Sequence, residues 1–147
     1  MIEMLLWLSL NIYHEARGED KLGQIAVAHV TLNRSKGCIK STVIKPKAFS
    51  WTHQKDDYFP YDIKAFFSSV NTAYITLNGF DFTGGADHYH HVKVKPYWRN
   101  KMTYVGTFGK HMFYKPLVKI KPERKKKSLR VFNSISQIPH HPTNPPS

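Results

Sequence analysis

The chain is 147 residues long, 41% hydrophobic and 14% aromatic, enough for one domain with a packed core and without any run near the ~20 apolar residues of a membrane-spanning helix. Its 22 Lys and Arg outweigh 10 Asp and Glu, a formal charge of +12. That balance points to an anionic partner: nucleic acid, an anionic membrane or an anionic bacterial envelope polymer. The single cysteine, Cys38, excludes an intrachain disulfide and a cysteine-rich metal site, and suits a protein folded in a reducing cytosol.

Periodicity predicts a first helix over residues 3–16. Leu5, Leu8, Ile12 and Glu15 recur at steps of three and four, so they share one face, and Gly18 supplies a stop. Glu15 thus sits at the edge of an apolar stripe near a helix C-terminus. Desolvation and the negative end of the helix dipole both disfavour its charged form. A carboxyl held protonated near neutral pH is what a general acid requires. The spacing alone leaves an alternative open, an ion pair with Arg17 or a lysine. Met4 to Leu10 does not read as a signal peptide, because it lacks a basic start, carries Glu3 and has no small-residue cleavage site.

Glu19-Asp20 is expected to supply the N-cap and first-turn acid of a second helix running to about Lys36, apolar nearly all round and therefore central. Its polar members Gln24, His29 and Asn33 then need buried partners, with backbone groups or Glu19 as the expected partners of Gln24 and Asn33. Residues 38–62 read as irregular, with aromatic clusters at Phe49-Ser50-Trp51 and Tyr58–Tyr61. Asp62 caps a third helix over about 63–78, stopped by Gly79. The stretch from Ala86 to Trp98 begins with strand-like alternation, and Gly109–Tyr114 is a second strand-like run, which together predict a small antiparallel hairpin. Beyond Tyr114 the composition turns basic through Arg130 and then Pro-rich to Ser147. The division expected is a catalytic domain over 1–115 and a basic, Pro-rich tail over 116–147 that attaches to anionic envelope surface.

Four blocks in order carry a family resemblance: Asn11-Ile12-Tyr13-His14-Glu15-Ala16-Arg17-Gly18-Glu19; Gly23 to Asn33-Arg34; Phe49-Ser50-Trp51; and the tract with Gly84-Gly85-Ala86, Tyr89, Trp98 and His111-Met112-Phe113-Tyr114. Together they resemble the cell wall hydrolases of the spore-cortex-lytic type, also found as phage lysis proteins. The resemblance implies an α+β, mainly helical, lysozyme-like domain with a small antiparallel β-hairpin that cuts peptidoglycan glycan strands without a cofactor. It places the catalytic acid on Glu15, the first glutamate of Glu15-Ala16-Arg17-Gly18-Glu19, and implies lytic transglycosylase chemistry. Two departures are His14, where the family often has Gly, and Asp87-His88-Tyr89-His90-His91 in place of a Tyr- and Asn-containing stretch. An ordinary vegetative wall is therefore the expected substrate rather than spore cortex.

A two-carboxylate glycosidase needs a second acid across the bond. Asp56, Asp57, Asp62, Asp81 and Asp87 sit in loops without apolar surroundings, and Glu19 reads best as a support for Arg17 or Arg34, so a single-acid mechanism on Glu15 fits better. Hydrolysis by water stays open beside it. The residues expected along the sugar cleft are Glu19, Phe49, Ser50, Trp51, Ala86, His88, Tyr89, His90, Trp98 and Tyr114; Ser50 and Tyr89 are hydrogen-bonding wall residues by resemblance, and aromatic faces suit sugar rings. His88 and His90, joined by His111 from a neighbouring strand, would suit zinc, but no His-Glu-x-x-His helix is present and no metal is expected. The rival readings are a nuclease or nucleic-acid-binding protein using His88, His90 and His91, and a cationic protein that disrupts envelopes through its tail. No base-reading or phosphate-cradling motif supports the nuclease, so nucleic acid is not an expected partner. The remaining expectations are a monomer, made in the cytoplasm without an export signal and acting at the wall or periplasm. Release is expected through a phage holin or as part of a virion.

Overall fold

The computed structural model describes residues 1–119. The basic stretch beyond Lys119 and the Pro-rich end, with the envelope attachment expected of them, lie outside the described residues. Helix α1 (Ile2–Ala16) packs against α2 (Lys21–Arg34), α3 (Ile39–Val43) and α5 (Ile63–Asn78), while α4 (Trp51–Gln54) is a single turn. No helix among the described residues is long and apolar enough to cross a membrane.

Of the Glu19-Asp20 pair it is Asp20 that caps α2, its side chain accepting from Gly23 N at 2.7 Å, and the expected Asp62 cap is in place, accepting from Ala65 N at 3.0 Å. Helix α2 is as central as its apolar circumference requires. Ala28 joins Leu8, Ile12, Val43, Phe49, Trp51 and Ala73 in one core cluster, whereas Val27 and Val30 join Ala16, Ala86 and Phe113 in a second. Each fully buried valine contributes about 2 kcal/mol by transfer from water. Between the clusters lies a polar tie: Asn11 Nδ2 donates to Thr31 Oγ1 at 2.8 Å, and Trp51 Nε1 donates to Asn11 Oδ1 at 2.8 Å. One buried amide thereby joins α1, α2 and α4. Gln24 is satisfied by Thr72 Oγ1 at 3.0 Å and by the Glu19 carbonyl at 3.3 Å. Asn33 Nδ2 donates to the Ala86 carbonyl and to Asp81 Oδ2, each at 2.9 Å, and His29 Nδ1 lies 3.7 Å from Asp81 Oδ1.

Three expectations change. The second helix ends at Arg34 rather than near Lys36, and the region read as irregular contains α3, capped by Cys38, and α4. The hairpin is a three-stranded antiparallel sheet of β1 (His88–His91), β2 (Met102–Phe108) and β3 (His111–Pro116), in the order β1-β3-β2. Strand β2 escapes the alternation test because its register shifts between Tyr104 and Gly106; the bulge sets successive side chains out of step. A turn of 3-10 helix, Tyr97–Lys101, leads into β2 and carries Trp98.

Candidate active site

Glu15 is the penultimate residue of α1, half-buried at the seam between the helices and the sheet. Tyr89 of β1 reaches across to it, and its hydroxyl donates to Glu15 Oε2 at 2.6 Å. Burial raises the Glu15 carboxyl above its ordinary range, opposed by the Tyr89 hydrogen bond and the Arg34 charge. The Tyr89 hydroxyl is itself pushed well above its usual range by burial and by Glu15, so it stays a proton donor. The ion-pair alternative is not built: Arg17 Nη1 donates to the Tyr13 hydroxyl at 2.7 Å and the guanidinium lies over the Tyr13 ring, and no ion pair among the described residues involves Glu15.

Arg34 is the functional residue that sequence reasoning undervalued. Its Nε donates to the Asp87 carbonyl at 2.6 Å and its Nη1 to the Ala48 carbonyl at 3.2 Å, pinning β1 and the 45–48 turn to the end of α2. The guanidinium rests over Phe49 at 5.1 Å and near Tyr89 at 6.0 Å. Beside it opens a groove of about 1030 Å³ lined by Asn33, Arg34, Lys36, Cys38, Ser41, Thr42, Lys45, Pro46, Lys47, Ala48, Asp87, His88, Tyr89 and Trp98. Glu15 does not itself line this space; it meets the wall through Tyr89.

Of the residues expected along the cleft, His88, Tyr89 and Trp98 line it. Phe49 and Trp51 do not. Each is 3% exposed, Phe49 beneath Arg34 and Trp51 stacked on His14 at 4.3 Å with its indole N–H on Asn11, so both are core. Ala86 is fully buried and offers its carbonyl to Asn33. His90 and Tyr114 are also buried, stacked together with His90 Nε2 3.1 Å from the Tyr114 hydroxyl, and both rings meet Trp98, so they hold up a wall rather than form it. Ser50 is exposed at the start of α4, without a side-chain capping bond and outside the groove lining.

Glu19 binds neither Arg17 nor Arg34. Its Oε2 accepts from Lys110 N at 2.8 Å, and its Oε1 lies 3.2 Å from His111 Nδ1, so it fastens the β2–β3 turn to the α1–α2 connection. His111 in turn meets Tyr89 edge to face at 5.2 Å, so a chain of contacts runs from Glu19 through His111 to the tyrosine that holds Glu15. The turn demands glycine twice over at Gly109: φ is +59°, and a Cβ would strike the Glu19 carboxylate. Gly109→Ala is therefore expected to cost about 2 kcal/mol or more, read as a lower urea midpoint at unchanged slope.

The three-imidazole set is split by register. His91 pairs directly opposite His111, so His111 shares the face of Tyr89 and His91, while His88 and His90 point to the face of Trp98 and Tyr114. The alternation that separates them also divides the His88, His90 and His91 cluster of the nuclease reading. Among the described residues no group of His, Cys, Asp or Glu is arranged to hold a metal ion.

A family model described as Cell Wall Hydrolase matches residues 18–114, and the chain belongs to that family. It is 32% identical over 108 residues to the spore cortex-lytic enzyme of Halalkalibacterium halodurans and 30% over 110 residues to that of Bacillus cereus, alignments covering 69% and 71% of this chain. They cover 32% and 41% of those proteins, so the chain spans between about a third and two-fifths of the length of the relatives it matches. Among solved structures it resembles the catalytic domain of the Bacillus cereus SleB protein, with TM-score 0.66 and 27% identity, over 78% of this chain and 91% of that one. The catalytic domain of the germination-specific lytic transglycosylase SleB from Bacillus anthracis aligns with TM-score 0.63 and 30% identity, over 78% and 96%. The α+β, mainly helical, lysozyme-like reading of the fold stands. The family match begins at residue 18, just past Glu15.

Proposed function

We propose that this chain cleaves the glycan strands of peptidoglycan as a lytic transglycosylase, with Glu15 as both general acid and general base. The observation that carries the reading is the half-buried Glu15 carboxyl, raised by burial and held at 2.6 Å by the hydroxyl of a groove-wall tyrosine. In the first step the Glu15 proton passes to the glycosidic oxygen as the C1–O bond breaks, with positive charge growing on the sugar ring. The C6 hydroxyl of the same muramyl residue then bonds to C1, and its proton returns to the Glu15 carboxylate. Bonds and protons balance, and the enzyme ends as it began.

A single acid suffices for this route. The only carboxylate among the lining residues is Asp87, and its Oδ1 is engaged by His88 Nδ1 at 2.8 Å. Tyr89 fixes the direction of Glu15, and its hydrogen bond favours the carboxylate that proton donation leaves, while burial favours the proton's return. The relatives' names, spore cortex-lytic enzyme and lytic transglycosylase, support the same bond and the same chemistry. The formal charge of +12 draws the protein to a polyanionic wall, an attraction that weakens with salt. Mass spectrometry of purified sacculi digested by the full chain tests the proposal. Anhydro-muramic ends are expected, whereas reducing muramic or glucosamine ends would refute transglycosylation and intact strands would refute glycan cleavage.

A further inference from the structure

The groove lining combines two kinds of side chain from different parts of the fold. The sheet and the 3-10 turn supply Tyr89, Trp98 and His88, whose rings suit sugar faces. The chain just past the end of α2 and the turn at 45–48 supply Lys36, Lys45 and Lys47, all exposed, and none of them forms an ion pair among the described residues. Arg34 contributes a further cation, although two of its donors already serve backbone carbonyls. The only carboxylate in the lining, Asp87, is engaged by His88. Muramyl sugars whose lactyl groups are amide-bonded to peptide carry no charge of their own, so in an intact strand the free carboxylates that such cations could meet are those of the peptide.

Lys47 adds an independent sign. It is the only residue other than glycine with a positive φ among the described residues, at +64°, a conformation that glycine adopts freely and lysine resists. The Lys45–Ala48 turn that contains it is closed by the Ala48 N–H donating to the Lys45 carbonyl at 3.0 Å, and Arg34 grips the Ala48 carbonyl. The turn is thus held rigidly, with both of its lysines in the groove lining. A lysine kept where local backbone physics asks for glycine, in the wall of a binding groove, is a strain whose explanation lies in the side chain.

We infer that Lys36, Lys45 and Lys47 bind the free carboxylates of the stem peptide carried by the glycan strand, so that the groove selects peptide-bearing strands over bare ones. This rests on the reading of the groove as a peptidoglycan site. The aromatic residues take the sugars, and the lysines take the anionic branch that leaves the muramyl residue. Exposed ion pairs are individually weak, so three acting together set a preference of about tenfold, reduced by salt.

The experiment measures binding rather than turnover. The full chain carrying Glu15→Gln is titrated, by calorimetry, with a peptide-bearing tetrasaccharide from cell wall, with the same tetrasaccharide stripped of peptide and its exposed lactyl carboxylates amidated, and with the peptide-bearing form whose carboxylates are amidated. About tenfold tighter binding of the first over the other two is expected, falling toward equality in high salt and in the Lys36→Gln, Lys45→Gln, Lys47→Gly variant. Lys47→Gly alone suits the backbone, so it folds and is expected to lose part of the preference by itself. Equal affinity for the three sugars, or an undiminished preference in the triple variant, would overturn the inference. So would tighter binding of a short oligonucleotide than of any sugar. Because no bond need break, the peptide preference stands or falls apart from the end-group chemistry of the digest.

Discussion

Glu15→Gln is expected to slow the release of glycan fragments from purified sacculi by about 10²–10⁴-fold, the range for loss of a positioned general acid–base group. Glutamine matches glutamate in shape, and its carbonyl oxygen still accepts from the Tyr89 hydroxyl, but it has no proton to give. The fold should not suffer. Burial raises the Glu15 carboxyl in the folded protein above its unfolded value. The stability it contributes is therefore fully present below the unfolded pKa and is lost as pH rises through the folded one. Glutamine does not titrate, so at pH 7 the variant is expected to unfold at an equal or higher temperature than the parent. Fragment release measured beside thermal unfolding separates the two effects. Equal rates would remove Glu15 as the acid, and a loss of rate accompanied by early unfolding would mark it as structural.

Asn11→Leu is expected to destabilise the helical half by about 2–4 kcal/mol. Asn11 is fully buried and joins Thr31 to Trp51 through two hydrogen bonds of 2.8 Å. Leucine is of similar size, so the volume is nearly kept while the Trp51 indole N–H loses its acceptor in the core. A buried unmet donor costs about 1–3 kcal/mol, and the lost bond to Thr31 adds to it. Denaturant unfolding should show a lower midpoint at unchanged slope. The double variant Asn11→Leu, Trp51→Phe provides the control, because it removes the donor and the acceptor together, and it should cost less than the sum of the two single changes. A cost below about 0.5 kcal/mol for Asn11→Leu would show that the amide is not what ties the three helices together.

The regular helices were legible because their signals are local. Asp20 and Asp62 announce their caps within three residues, and the three- and four-residue spacing from Leu5 to Glu15 fixes which face α1 turns inward. Glu15 was found for that reason. What escaped depends on contacts far apart in the chain. Glu19 meets the backbone of Lys110 across 91 positions, and nothing near Glu19 distinguishes that partner from Arg17 or Arg34. Phe49 and Trp51 illustrate another limit: an aromatic residue outside a regular element has the same composition signal whether it fills a core or lines a cleft. The histidines of β1 were correctly placed on a strand, but only the pairing of His91 with His111 decides which of them share a face. Arg34 stood at the end of a matched block, yet its grip on two distant carbonyls exists only in the folded chain.

The account rests on a carboxyl at Glu15 whose hold on its proton is raised by burial, against the Tyr89 hydrogen bond that lowers it. The most direct test is a carbon-13 NMR titration of that side chain in the full-length protein, with Glu15→Gln to assign the signal and Tyr89→Phe beside it. The midpoint is predicted to lie above the ordinary glutamate value of 4.5, and to rise further in Tyr89→Phe, where the hydrogen bond that favours the charged form is gone. A midpoint at or below the ordinary value would contradict the account, because Glu15 would then hold no proton to hand to the glycosidic oxygen.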